Sequence, residues 1–179
     1  MKKFSEFITE KEETHGIFSG RFQPVTKAHA DIIETIGKEN KKGTIFLVKG
    51  KDTSKDKEKN PFDVDMQKKM LEAVAPKNVQ IKIIPTGFFV DDLNEMPDKN
   101  FIAYAGSDRV GAYKRFTSYL DEDKTLEIKE IKRGDDDISA TQVRVALKND
   151  NEDGFKKLTD KRVHKMYDEL KEIINGTTK

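Results

Sequence analysis

The chain contains no cysteine. That excludes disulfides, thiolate metal sites and a cysteine nucleophile, and it fits an intracellular protein. Nor does it contain an apolar run of the length a membrane span or a signal-peptide core requires, so it reads as soluble and is expected in the cytoplasm, with no membrane partner. Charge of one sign is missing as well. The 34 Lys and Arg nearly cancel the 33 Asp and Glu, so no global field draws the protein to nucleic acid, and any recognition of an anion must be local. There is no internal repeat, and no low-complexity stretch beyond a lysine-rich loop at 49–60, which by itself reads as a solvated surface. With 179 residues there is room for one domain with a full core. The expected division is an N-terminal extension at 1–13, a main domain at 14–150 and C-terminal helices at 151–179 packed on that domain.

From Thr14 onward, short apolar runs alternate with amphipathic stretches, the pattern of a parallel sheet covered by helices on both faces. Strands are expected at 16–20, 44–48, 79–84, 101–105 and 126–131. Ala28, Ile32, Ile33 and Ile36 fall at helical spacing after Pro24, with Gly37 expected to close that helix. Further helices are expected at 63–74 with Asp63 as its N-cap, from about Ser107 or Asp108, at 139–148, around Phe155 and at 160–174. Five strands with helical crossovers make an α/β, Rossmann-like, doubly wound parallel sheet, whose ligands gather at the carboxyl ends of the strands.

Two turns carry chemistry. The first, Gly20-Arg21-Phe22-Gln23-Pro24-Val25-Thr26-Lys27-Ala28-His29, leads from the first strand into the first helix. A glycine that permits close backbone approach, and a helix start with its open N–H groups, suit a phosphate there. Thr26 and His29 share one face of that helix and can grip the same group, although a histidine in a first turn is as readily a cap or a packing residue. The second, Ile138-Ser139-Ala140-Thr141-Gln142-Val143-Arg144, is another turn into a helix. Ser139 is a natural N-cap and Arg144 an ordinary surface cation, yet hydroxyls at a helix start followed by an arginine also collect the outer phosphates of a triphosphate.

The stretch from Gly20 to His29 resembles the histidine signature of the nucleotidyltransferase superfamily, and that from Ile138 to Arg144 resembles its Ile-Ser-x-Thr-x-x-Arg signature. Gly-Arg-Phe-Gln-Pro, with Asn60-Pro61-Phe62, is most similar to the archaeal-type nicotinamide mononucleotide adenylyltransferases. There are departures. The family's His-x-Gly-His reads Thr26-Lys27-Ala28-His29, and an arginine expected soon after Asn-Pro-Phe is replaced by a neighbourhood of Gln67, Lys68 and Lys69.

The resemblance implies an enzyme that transfers a nucleoside monophosphate from ATP or CTP to a phosphorylated small molecule and releases pyrophosphate, with adenylylation of nicotinamide mononucleotide as the leading reading and Mg2+ held mostly by substrate and water. It implies His29 and Thr26 on the α- and β-phosphates, and Arg144 and Arg21 on the β- and γ-phosphates. Ser139 and Thr141 would add contacts, Gly20 and Phe22 would line the triphosphate, and Gln23 would reach the substrate. Gly106 and Asp108 would meet the nucleotide unless they serve only as a helix cap, and Lys49 would reach the acceptor phosphate. No metal ligand set is expected, and Asp135-Asp136-Asp137 reads as a solvated turn before it reads as a metal site. His29 is expected to face ligand and not core. The acceptor, the choice of ATP or CTP and the oligomeric state stay open. Transfer to a different phosphorylated acceptor, and a non-catalytic virion protein that keeps the fold, are the alternatives.

The segment Met1-Lys2-Lys3-Phe4-Ser5-Glu6-Phe7-Ile8-Thr9-Glu10 resembles the N-terminal targeting peptides of internal head proteins in large tailed bacteriophages, which are cut after apolar-x-Glu. It implies a protein packaged in a virion and released into the host cytoplasm.

Overall fold

The computed structural model describes residues 13–49, 56–132 and 138–176. The N-terminal segment read from sequence as a targeting peptide, residues 50–55 of the lysine-rich loop and the triple aspartate all lie outside the described residues. Five strands, β1 (His15–Gly20), β2 (Lys42–Val48), β3 (Val79–Ile84), β4 (Asn100–Gly106) and β5 (Thr125–Ile131), form one sheet in the order β3-β2-β1-β4-β5. Every pairing is parallel. The crossovers are α1 (Lys27–Glu39), α2 (Val64–Val74), α3 (Val90–Glu95) and α4 (Ser107–Phe116). After β5 come α5 (Ala140–Lys148), α6 (Glu152–Leu158), a 3₁₀ stretch at Lys161–Met166 and α7 (Tyr167–Ile174).

Alternation along the strands divides the core. Ile45 and Leu47 of β2 join the buried cluster of Ile33 and Ile36 (α1), Met70 and Leu71 (α2), Leu147 (α5) and Leu170 (α7). Phe46 and Val48, their sequence neighbours, point the other way and pack with Phe89, Leu93 (α3) and Tyr113 (α4). Helices therefore cover both faces, and the sheet is the doubly wound parallel arrangement the sequence predicts. The direction of winding reverses between β1 and β4. Those two strands pair from His15↔Phe101 only as far as Ile17↔Ala103, whereas β1 and β2 stay in register to Gly20↔Leu47. The crevice at the carboxyl ends of β1 and β4 is the position where this architecture holds its ligands.

Two local expectations are corrected and one helix, α3, was not expected from the sequence. Gly37 does not end α1, which runs on to Glu39 with Asn40 as C-cap. Its glycine serves packing instead, because a Cβ there would sit 2.7 Å from Cγ of Pro76. The short helix α3 escapes periodicity, since it has one and a half turns and follows the turn residues Pro85 and Gly87. The last predicted helix begins as 3₁₀. Val163 and Met166, three residues apart, bury on one face in that geometry, and Asp160 caps it by accepting from the Arg162 N–H at 2.9 Å.

At the amino end of β1, opposite the crevice, His15 is buried between the Thr44 hydroxyl (2.7 Å from Nε2) and the Asp98 carboxylate (3.3 Å from Nδ1), with Lys42 paired to the same carboxylate. Burial lowers the His15 pKa below its ordinary 6.5, against the pull of Asp98. The folded protein thus holds this ring neutral at a pH where the unfolded chain protonates it, so stability is full above 6.5 and falls as the pH drops through and below that value. Urea unfolding followed from pH 7.5 to 5.5 is expected to show this fall, and His15→Gln to lessen it. An unchanged pH slope in the variant would remove His15 as the cause.

Candidate active site

Both signature turns are helix starts closed by the same device. At the start of α1 the Thr26 hydroxyl accepts from the His29 N–H at 3.2 Å, and the Thr26 N–H donates to His29 Nδ1 at 3.0 Å. At the start of α5 the Ser139 hydroxyl accepts from the Gln142 N–H at 3.2 Å, and the Ser139 N–H donates to Gln142 Oε1 at 2.9 Å. Each reciprocal box consumes the third N–H of its helix. The first two, of Lys27 and Ala28 and of Ala140 and Thr141, have no carbonyl four residues back within the helix and carry the positive end of its dipole.

These starts line one cavity of about 610 Å³, to which Thr26, Lys27, Ala28 and His29 contribute from α1 and Ile138, Ser139 and Ala140 from the start of α5. Gly106 closes it at the end of β4, Ile131 and Lys132 at the end of β5, and Phe18 and Ile32 supply apolar wall. The result is a polar, cationic end beside an apolar slot, the layout of a site for a nucleotide's phosphates and base.

The box also sets the chemistry of His29. An Nδ1 that accepts from a backbone N–H leaves the proton of the neutral ring on Nε2, so that nitrogen is the donor. The ring is wedged by Phe22, 5.0 Å away edge-on, and Phe18, 6.2 Å away. His29 therefore has two roles, helix cap and cavity wall.

Phe22 departs from its expected place on the triphosphate. Its φ is 50°, a left-handed conformation that costs a non-glycine residue on the order of 1–2 kcal/mol, and its ring is 3% exposed against Phe18 and His29. It holds the histidine. Gly20 is not among the cavity-lining residues; a Cβ there would come within 3.2 Å of the Phe22 ring, so glycine makes room for that ring and not for an anion.

Gln23 does not reach the cavity. Its amide is buried, donating to the Phe62 carbonyl at 2.8 Å and accepting from the Phe62 N–H at 3.0 Å. Arg21 is exposed and lines neither this cavity nor the second one, while its carbonyl accepts from Gln67 Nε2. Asp108 and Thr141 do not line the first cavity.

Arg144 joins the two turns. Its Nη1 donates to the Gln23 carbonyl at 2.8 Å and its Nη2 to the Thr141 hydroxyl at 3.1 Å. Partial burial lowers the guanidinium pKa, with Asp56 and Glu58 pulling the other way, and Arg144 itself is not among the residues that line the first cavity. Lys49 lies apart, in a second cavity of about 740 Å³ with Lys57, Asn60, Phe62, Val64 and Gln67.

Sequence reasoning missed Lys27, Lys132 and the apolar wall. Lys27 stands inside the first signature, and Lys132 directly follows a predicted strand, so position alone could have found both. Among the described residues no three His, Asp or Glu side chains come together to hold a metal ion, and none of the helices is long and apolar enough to cross a membrane.

The cytidylyltransferase-like family model matches residues 17–146, which takes in both signatures. No curated protein matches the chain in sequence. Among solved structures, the bifunctional NMN adenylyltransferase/ADP ribose pyrophosphatase of Francisella tularensis is similar with a TM-score of 0.64 and 19% identity, covering 91% of this chain and 50% of that one. This chain therefore spans about half the length of that enzyme. The same Francisella protein complexed with AMP and Mn ion is similar at a TM-score of 0.63 and 16% identity, covering 92% of this chain and 51% of that one. The nicotinic acid mononucleotide adenylyltransferase of Plasmodium falciparum complexed with NaAD gives 0.64 and 13%, covering 92% of this chain and 98% of that one. At these identities the likeness establishes the fold. The matched family model covers both turns that meet at the cavity: the chain belongs to the cytidylyltransferase-like family.

Proposed function

We propose that the chain transfers an adenylyl group from ATP to a phosphorylated small molecule, with nicotinamide mononucleotide as the leading acceptor. One observation carries this reading: two capped helix starts, tied together by Arg144, line a single cavity whose far wall is apolar. An oxygen of the acceptor phosphate attacks the α-phosphorus of ATP, the bond from that phosphorus to the bridging oxygen breaks, and pyrophosphate carries the charge away. The protein's share is positioning and charge stabilisation. His29 Nε2–H and the first N–H groups of α1 face the α- and β-phosphates, Arg144 and the start of α5 the β- and γ-phosphates, and Lys27 and Lys132 the rim. Lys49 and Lys57, in the second cavity, bind the acceptor phosphate.

Mg2+ is part of this proposal. Among the described residues the cavity contributes one carboxylate, Asp31, which fits an ion that arrives on phosphate oxygens and keeps most of its waters. Such an ion would neutralise phosphate charge. The similar structures, NMN and nicotinic acid mononucleotide adenylyltransferases, favour a pyridine mononucleotide acceptor. Ala28 and the missing arginine after Phe62 favour keeping other phosphorylated acceptors, and CTP, in the test.

Pyrophosphate release is to be followed with Mg2+, ATP or CTP, and a panel of phosphorylated acceptors. ATP with nicotinamide mononucleotide is expected to give the highest rate. A faster pair would rename the substrate, and no release with any pair, from folded protein, would leave a non-catalytic nucleotide-binding protein.

A further inference from the structure

A seam of hydrogen bonds runs beside the second cavity, which Phe62 and Gln67 line. On one side of it the segment Arg21–Gln23 leaves β1; on the other, Phe62 leads into α2. Two buried glutamines cross it in opposite directions. Gln23, 4% exposed, pairs its side-chain amide with both the N–H and the carbonyl of Phe62, and Gln67, 2% exposed and in α2, donates back to the Arg21 carbonyl. The Gln23 main-chain carbonyl meanwhile holds Arg144 of the second signature. One residue thus holds Arg144 of the second signature through its backbone and the Phe62 edge of the second cavity through its side chain.

The geometry points to Gln23 as a positioning residue that fixes the second cavity relative to the triphosphate cavity, acting through the Phe62 backbone and not through contact with either substrate. This rests on the reading of the second cavity, lined by Lys49, Lys57 and Phe62, as the acceptor site. Phe62 is 2% exposed, so its peptide groups have no water to replace the lost amide. Freeing them lets the start of α2 and the Asn60–Phe62 turn shift while Arg144 keeps its main-chain anchor, because a side-chain substitution does not remove the Gln23 carbonyl. The effect is therefore expected to fall on one substrate only.

The experiment uses the full chain and Gln23→Met, which keeps length and burial and loses both hydrogen bonds. Calorimetric titration first measures α,β-methylene ATP, which does not react, and then nicotinamide mononucleotide with that analogue saturating. The variant is expected to bind the mononucleotide about tenfold more weakly and the analogue within about twofold of the parent. Equal weakening of both ligands, or of neither, in a variant with parental circular dichroism would overturn the inference. If Gln23→Met does not fold, Gln23→Glu keeps acceptance from the Phe62 N–H and is read the same way. If the parent itself does not bind the mononucleotide, that acceptor is wrong. Inorganic phosphate then replaces it in the same titration, and parental phosphate affinity in the variant would sink the positioning role.

Discussion

Replacing His29 by alanine is expected to lower kcat by on the order of a hundredfold to a thousandfold, the size of effect seen when one preorganised donor to a developing charge is lost. The donor is Nε2–H, because Nδ1 is already occupied by the Thr26 N–H at 3.0 Å. The same bond makes the variant less stable. Half of the capping box disappears, with a cost of about 1 kcal/mol, and the Phe22 ring loses an edge contact at 5.0 Å. Steady-state kinetics and urea unfolding on the same preparation separate the two consequences. A modest drop in stability with a collapse in kcat is expected; the stability loss alone, with turnover intact, would make His29 a cap and nothing more.

The second large effect belongs to Arg144→Lys. Lysine keeps the charge but not the planar fork, and Arg144 uses that fork to hold the Gln23 carbonyl and the Thr141 hydroxyl at once. A lysine would satisfy one partner or meet the phosphate, without bridging the signatures. The expected result is a fall in kcat/KM for the triphosphate of roughly a hundredfold, well beyond the change in folding stability, because the guanidinium is part-exposed and no core side chain depends on it. Full activity in this variant would mean that charge alone suffices and that the bridge is incidental. Asp56 and Glu58 are the carboxylates whose charge acts on Arg144.

The sheet was legible because its signals are periodic. The strand at 79–84 and the Asp63 cap are found where the apolar pattern and the cap chemistry put them, with the Asp63 carboxylate accepting from the Met66 N–H at 2.9 Å. Both helix starts of the site were legible for the same reason. What each residue does once there was less so, since roles depend on which way a side chain turns after a strand ends. Gln23 and Phe22 sit in a signature that suggests contact with substrate, yet the left-handed backbone at Phe22 sends its ring under His29, and Gln23 turns away from the cavity to Phe62. No pattern in one sequence announces a positive φ at an aromatic residue. Lys49 was placed at the end of β2 from sequence, but its companions come from distant segments, Lys57, Gln67 and Ile173, which only the folded chain brings together. Gly37 shows the reverse error. A helix-breaking residue by propensity, it stays helical because α1 must pass close to Pro76.

The claim beneath all of this is that two helix starts 113 residues apart, Lys27 and Ala140, address one triphosphate. A crystal structure with α,β-methylene ATP bound tests it most directly. The phosphates are predicted between the first turns of α1 and α5, within hydrogen-bonding distance of His29 Nε2 and the Arg144 guanidinium, with the base against Ile32 and Ile131. A triphosphate bound elsewhere, or touching only one of the two helix starts, would contradict the account.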